Sequence, residues 1–188
     1  TTGQTASLGI NTLCYEWDYE QPQYASSYPQ GRITMSSATV IGKTHKLSLY
    51  RHSSGALVFG AGTVQWSWGL DGQHWGGSTT VSPDMQQATV NLFADMGVQA
   101  GNIQSGLTQT SLSTDFTAPT ATITSPANGA TFSVGATINF SGNSSDAGSG
   151  VVAAVEISLN GGTTWQQANF NSADASISWN YSWTATSN

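Results

Sequence analysis

Asn160-Gly161, set between two alternating runs, constrains this chain more than any other pair of residues. An Asn-Gly step suits a type I′ turn, in which both central residues need positive φ, and such turns join antiparallel strands. Upstream, Val151, Val155, Ile157 and Leu159 take one parity while Glu156, Ser158 and Asn160 take the other. Downstream, Ile177, Trp179, Tyr181 and Trp183 alternate with Ser178, Asn180, Ser182 and Thr184. A period of two buries one set and wets the other. The last third of the chain is therefore expected to be an antiparallel β module with Trp165, Trp179 and Trp183 in its core.

Charge is scarce. Only 7% of residues are ionic, against roughly 25% in an average globular protein. Thr, Ser, Asn, Gln and Gly must keep the surface wet, a composition associated with extracellular or cell-surface bacterial proteins. The four cations, Arg32, Lys43, Lys46 and Arg51, lie close together and none follows Arg51. A net charge of −6 argues against a nucleic-acid partner, because neutralising phosphates supplies most of that affinity. No apolar run is long enough to span a membrane. No cleavable leader is recognisable, so any such segment is expected to have been removed or to lie upstream. Cys14 is the single cysteine, which excludes an internal disulfide and a multi-cysteine metal site.

Composition changes near Thr117-Ala118-Pro119. All three histidines, all three methionines and every cation precede it. Two domains are expected, 1–115 and 116–188. In the second, Thr120 to Thr124 and Thr137 to Ser141 read as strands, and Ser125-Pro126-Ala127-Asn128-Gly129 supplies turn chemistry between them. In the first, His45 to Arg51, Ala56 to Gly60 and Thr63 to Trp68 read as strands. Pro83 to Met96 reads as a helix. Ser82 can cap it, Pro83 suits its first position, and Asp84 suits the positive end of its dipole. Met85, Ala88, Leu92 and Met96 form its apolar stripe, with Phe93 alongside, and Gly97 ends it. Strand, glycine-rich turn and helix in that order are an α/β signature.

Neither half looks sufficient alone. One helix cannot cover both faces of a parallel sheet. The second half offers about five strands, where an immunoglobulin-like sandwich takes about seven strands and about 100 residues. The chain is expected to be part of a longer protein, its folds completed by upstream and downstream segments or by partner chains.

Several runs resemble known families. Leu13-Cys14-Tyr15-Glu16-Trp17-Asp18, Gly31-Arg32-Ile33-Thr34-Met35-Ser36-Ser37 and His45-Lys46-Leu47-Ser48-Leu49-Tyr50-Arg51 are similar to a domain of large bacterial proteins. That domain resembles the C-terminal part of the N,N-dimethylformamidase large subunit. The most specific stretch runs from Ser54 to Asp71 and continues through Met85 to Gly97, and the likeness covers about residues 8 to 107. It implies the tail of a glutamine-amidotransferase-like α/β domain, with its last core strand at Leu57 to Phe59. The second half resembles bacterial immunoglobulin-like modules. Its run Val155 to Trp165 is also similar to a hairpin in molybdenum-dependent sulfite oxidases and to the Asp-box turn of sialidases, with Asn160 in place of Asp. In those folds the turn is a structural staple.

The dimethylformamidase resemblance implies amide hydrolysis at an iron held by tyrosines and a glutamate, a cofactor of the parent protein rather than of this segment. Metal-bound water would be the nucleophile. Glu16 and Asp18, flanked by Tyr15, Trp17 and Tyr19, are the acidic candidates, since burial among aromatics raises a carboxyl pKa. The alternative is a loop-edge carboxylate that accepts backbone N–H bonds. His74 and Asp71 lie in the glycine-rich loop Gly69 to Gly77, where an α/β sheet would place a ligand. A plain surface histidine is the competing reading. His45 and His52 flank a strand and are expected to be solvated. Trp66, Trp68 and Trp75 cluster near that loop and are candidate sugar-stacking residues, with core packing as the alternative. Asn143 to Gly148 offers oxygens to calcium but one carboxylate, too few for a tight site. No metal site is assigned.

Two functions from different classes follow. One is a structural or interaction segment of a large secreted multidomain protein without a complete active site. The other is an extracellular carbohydrate-binding or adhesive protein with glycans as partners. An iron-dependent amidohydrolase of which this is a part is a third.

Overall fold

The computed structural model describes residues 6–13, 16–78 and 80–186. The chain forms two compact units. One comprises Arg32–Thr114 and the described residues before Gln23, the other Asp115 onward with Gln23–Gly31.

The first unit is built on three strands, β1 (Ile33–Val40), β2 (Lys43–Arg51) and β3 (Leu57–Gly60), paired antiparallel in that order. The parallel arrangement expected from the α/β signature does not form. Two-residue and similarly short connections can only reverse the chain, whereas a parallel pair needs a crossover of a dozen or more residues. Val40 pairs with Lys43, so Ile41-Gly42 is a two-residue turn with φ of 48° and 70°. Both values are positive, as a type I′ turn requires. The expected strand from Thr63 to Trp68 is missing. Thr63 makes one bridge to Trp17, and Trp66–Gly69 then coils into a 3-10 turn. The Thr63 hydroxyl accepts the Gln65 N–H at 3.1 Å, a local bond that competes with a ladder. A short hairpin follows, β4 (Gln73–His74) with β5 (Gly77–Ser78).

Helix α1 (Pro83–Asp95) forms as its signals predict. Ser82 accepts the Met85 N–H at 3.3 Å, and Gly97 takes φ 77° just past the end. Met85 is fully buried, while Phe93 and Met96 at the other end of the stripe are exposed. Gly69 lies against the Met85 side chain so closely that a Cβ would collide with its sulfur.

The second unit holds β6 (Thr120–Ser125), β7 (Thr137–Ser145) and β10 (Ser176–Thr184) in the order β10-β7-β6, all antiparallel. The predicted alternation along β10 holds, with Ile177, Trp179, Tyr181 and Trp183 on the less exposed face. Trp179 is 4% exposed and joins Val152, Val155 and Ala168 in the core, whereas Trp165 and Trp183 are only half-buried. Trp179 pairs with Gly142, and a Cβ on that glycine would strike the indole and the Thr122 carbonyl. A second pair, β8 (Glu156–Ile157) with β9 (Gln166–Gln167), carries the Asn160 turn. The turn differs from the expected two-residue form. Positive φ falls on Gly161 and Gly162, at 68° and 88°, and Asn160 stays in the ordinary region.

Ile41 is the local exception to sequence preference. A β-branched residue in the left-handed region is an outlier, and Ile41 is 92% exposed, so no packing offsets that strain. Ile41→Asn should therefore raise stability by about 1 kcal/mol, since Asn visits this region readily. A higher urea midpoint checks this; a lower one would mean that Ile41 makes a stabilising contact.

Candidate functional site

The segment from Glu16 to Glu20 runs beside the sheet of the first unit. Asp18 donates its N–H to Gly62 at 2.8 Å and Glu20 donates its own to Thr44 at 2.9 Å. This pairing sets which side chains turn inward. Trp17 lies edge-on to Tyr19, with ring centres 6.2 Å apart, and edge-on to His45 at 6.3 Å. Glu16 and Asp18 are exposed, so the expected burial among aromatics is not what the fold gives them. Tyr15 and Cys14 lie outside the described residues.

The carboxylate that the fold does engage is Glu20. Lys46 sits 2.8 Å from one of its oxygens and Arg32 pairs with the other. Lys43 lies over the Tyr19 ring, 3.8 Å from its centre, a cation–π geometry. Three of the four cations thus gather around two neighbouring residues. Burial pushes the Glu20 carboxyl up, but hydrogen bonds from Lys46 and Arg32 and the charges of both outweigh it, leaving the pKa below its usual 4.5.

His45 is 4% exposed, which corrects the expectation of a solvated histidine. Thr44 and Lys46 flank it in sequence, but β-strand parity turns His45 and Leu47 together onto the inner face. His45 Nε2 lies 3.0 Å from the Ala61 carbonyl, and a carbonyl only accepts, so this nitrogen carries the proton. Among the described residues Nδ1 has no hydrogen-bond partner. A cleft of about 400 Å³ opens beside the ring, with Leu8, Leu13, Ala38, Leu47 and Trp66 among its walls. Among the described residues no Asp, Glu, Lys or Arg lines it. The register of β1 shifts between Thr34 and Ser36, and this bulge brings Ser36 and Ala38 onto the face of His45 and Leu47. Period-two reading of the sequence cannot see such a shift.

The glycine-rich loop is brought together in part. His74 stacks on Trp68, rings 3.9 Å apart and 9° from parallel. Trp75 at the tip is 84% exposed. Asp71 instead accepts the Gln73 N–H at 2.9 Å, turning the loop rather than joining His74. Trp66 points the other way, edge-on to Phe59 at 5.1 Å, with Nε1 donating to Thr89 at 3.4 Å. In the second unit, Asp146 accepts the Gly148 N–H at 2.8 Å and Asp115 the Thr117 N–H at 2.9 Å. The Thr117 N–H, working against burial, holds the Asp115 carboxyl below its ordinary value. His52 is exposed, as expected, and meets Ser54 Oγ at 2.8 Å.

No group of three or more His, Cys, Asp or Glu converges among the described residues. The carboxylates do not fit the implied iron centre, because Glu16 is exposed and Glu20 is committed to two cations.

The geometry defines two β-rich units, one with a cleft and an aromatic loop, the other a three-stranded antiparallel sheet with a short second strand pair. Residues 1–80 match the family described as N,N-dimethylformamidase beta subunit-like, C-terminal, and residues 119–188 match the bacterial Ig domain family. The chain thus joins a dimethylformamidase-like C-terminal segment to a bacterial immunoglobulin-like module, the composition its motifs resemble. The first match ends at residue 80, before α1, whereas the likeness read from the sequence extends to about residue 107. Neither the curated proteins nor the solved structures yield a match.

The Glu20 cluster makes a pH prediction. A carboxyl with a lowered folded-state pKa stabilises above its unfolded value, and that contribution is lost as pH falls through the folded value. Stability should therefore drop below about pH 4.5, and Glu20→Gln should flatten this part of a urea-midpoint profile. Parallel profiles for the two proteins would show that Glu20 contributes nothing.

Proposed function

We propose that this chain is a structural and interaction segment of a large, secreted bacterial multidomain protein. The observation that carries the reading is the uncovered inner face of β6. Ala121 pairs with Ser144 and Ile123 with Gly142, so both lie on the face that buries Trp179. Yet every residue of β6 is exposed, Ile123 among the apolar ones. Among the described residues the other strand pair of this unit, β8 with β9, is two residues long on each strand and is joined by isolated bridges alone, far short of the second layer of a sandwich. Further polypeptide of the same protein would complete that layer. The first unit would be the tail of a glutamine-amidotransferase-like domain, and residues 1–115 and 116–188 the two domains. The family of the second unit supports a place outside the cell, where such modules are common. An iron centre and amidohydrolase activity would belong to the parent protein.

Thiol labelling tests this. With Cys14→Ser as background, Ile123→Cys should react rapidly in the isolated chain and slowly in the intact parent protein. Equal rates would sink the proposal.

Trp75 supports a second reading, glycan binding. An exposed indole beside a stacked Trp68–His74 pair offers the aromatic surface that sugar rings stack against. Soluble glycans should then quench tryptophan fluorescence, and Trp75→Ala should abolish the response with the fold intact by circular dichroism. A broad panel without quenching would remove this reading.

A further inference from the structure

The second unit contains two Asn-Gly steps, Asn128-Gly129 and Asn160-Gly161. Both are exposed, and both glycines take positive φ, 81° and 68°. Asn-Gly is the sequence most open to succinimide chemistry, because glycine has no Cβ to shield its backbone nitrogen or restrict its approach. The structure treats the two sites differently. Asn160 Oδ1 accepts the Thr164 N–H at 2.9 Å and the Ser158 hydroxyl at 3.1 Å. Its Nδ2 donates to Thr164 Oγ1 at 2.9 Å. The side chain is thus tied at both ends to the turn, and the Gly162 N–H is fixed on Ser158 Oγ at 2.7 Å. Asn128 sits in a turn closed by Ala130 N–H to Ala127 at 3.1 Å, and among the described residues no hydrogen bond holds its side chain.

We infer that Asn128 is a site of spontaneous deamidation in the folded protein and that the Asn160 turn protects its own Asn-Gly step. In the reaction the Gly129 backbone nitrogen, losing its proton to solvent base, attacks Asn128 Cγ. A new N–Cγ bond closes a five-membered imide, the Cγ–Nδ2 bond breaks, and the nitrogen leaves as ammonia. Water then adds to either imide carbonyl and opens the ring to aspartate or isoaspartate. The sum is asparagine plus water giving the acid plus ammonia, with no oxidant or reductant. For Asn160 the same attack requires Cγ to rotate away from Thr164 and Ser158, so it waits on local opening of the turn. Each conversion places a negative charge on a region that has no cation after Arg51.

Timed incubation of the whole chain at mildly alkaline pH, followed by chymotryptic peptide mapping, tests this. Trypsin is of no use beyond Arg51. Conversion shows as a mass gain of about one dalton with release of ammonia, and Asp-N digestion separates aspartate from isoaspartate. In the folded protein Asn128 should convert at least about tenfold faster than Asn160, the ratio set by about 1.4 kcal/mol of turn opening. In strong urea the two rates should converge. Equal rates in the folded protein, or Asn160 ahead of Asn128, would overturn the inference. So would a native-to-urea ratio that stays constant, because sequence alone would then set both rates. Asn128→Gln should remove the early mass gain, and its persistence would place the chemistry elsewhere.

Discussion

Large side chains laid directly on glycine are the contact on which both units depend. In the second unit the Trp179 indole occupies the space where a Cβ of Gly142 would be, and the Thr122 carbonyl closes the same space from the next strand. In the first, the Met85 side chain fills the corresponding space at Gly69. Neither glycine needs positive φ; both are required for room alone. Close packing makes such contacts unforgiving, because an interior already at crystal-like density has nowhere to move a methyl group. Each contact also joins elements distant in the chain. Trp179 clamps β10 onto β7, and Met85 seats α1 on the turn after the β-sheet. Ser82 strengthens the second by donating its N–H to Gly69 at 2.8 Å.

Scarcity of charge explains how the remaining polar surface is organised. Neutral pairs replace ion pairs on the outer face of the β10-β7-β6 sheet. Ser178 donates to Asn143 at 2.9 Å and Ser182 to Asn139 at 2.8 Å, each across the β10–β7 register. Such cross-strand pairs contribute modestly each, but insensitively to salt and pH. The first unit works differently. Both ion pairs found among the described residues meet at Glu20, so its electrostatics concentrate on one carboxylate. Acid sensitivity is accordingly expected of the first unit through Glu20, and of the second through the hydrogen-bonded Asp115 carboxyl.

Much of this was legible in the residues. Alternation along β10 and the caps of α1 are local, so Ser176 to Thr184 and Ser82 to Gly97 fold as their patterns read. The family resemblance was carried by contiguous runs and is matched in both halves. What escaped was non-local or one residue wide. The β1 bulge between Thr34 and Ser36 reverses parity without any glycine or proline to mark it, which hid the cleft, whereas His45 shares the parity of Leu47 on β2, so its burial was open to a period-two reading. The type I′ turn lies at Ile41-Gly42, where a β-branched residue argues against it, while Asn160, the better candidate by type, leaves positive φ to Gly161 and Gly162. Glu20 escaped because its partners lie 12 and 26 residues on, Arg32 and Lys46, and Glu16 and Asp18 drew attention through their aromatic neighbours.

The open face of β6 and the buried face of β10 belong to one sheet, and their contrast bears on what the module is for. On β10, Trp179 is covered by Val152, Val155 and Ala168, residues of the segment that carries β8 and β9. That segment is tied to β10 by reciprocal backbone bonds between Asn169 and Asn180 at 2.8 and 2.9 Å. No residue of β6 joins that cluster, so Ala121 and Ile123 share the pleat of Trp179 without sharing its cover. An apolar edge strand left this way is a template for pairing or packing with more chain. Natural edges are commonly blunted by lysine or by inward-pointing charge, and β6, Thr120-Ala121-Thr122-Ile123-Thr124-Ser125, has neither. A strand without these protections leaves its edge, and the pleat of Ala121 and Ile123, open to association with further chain.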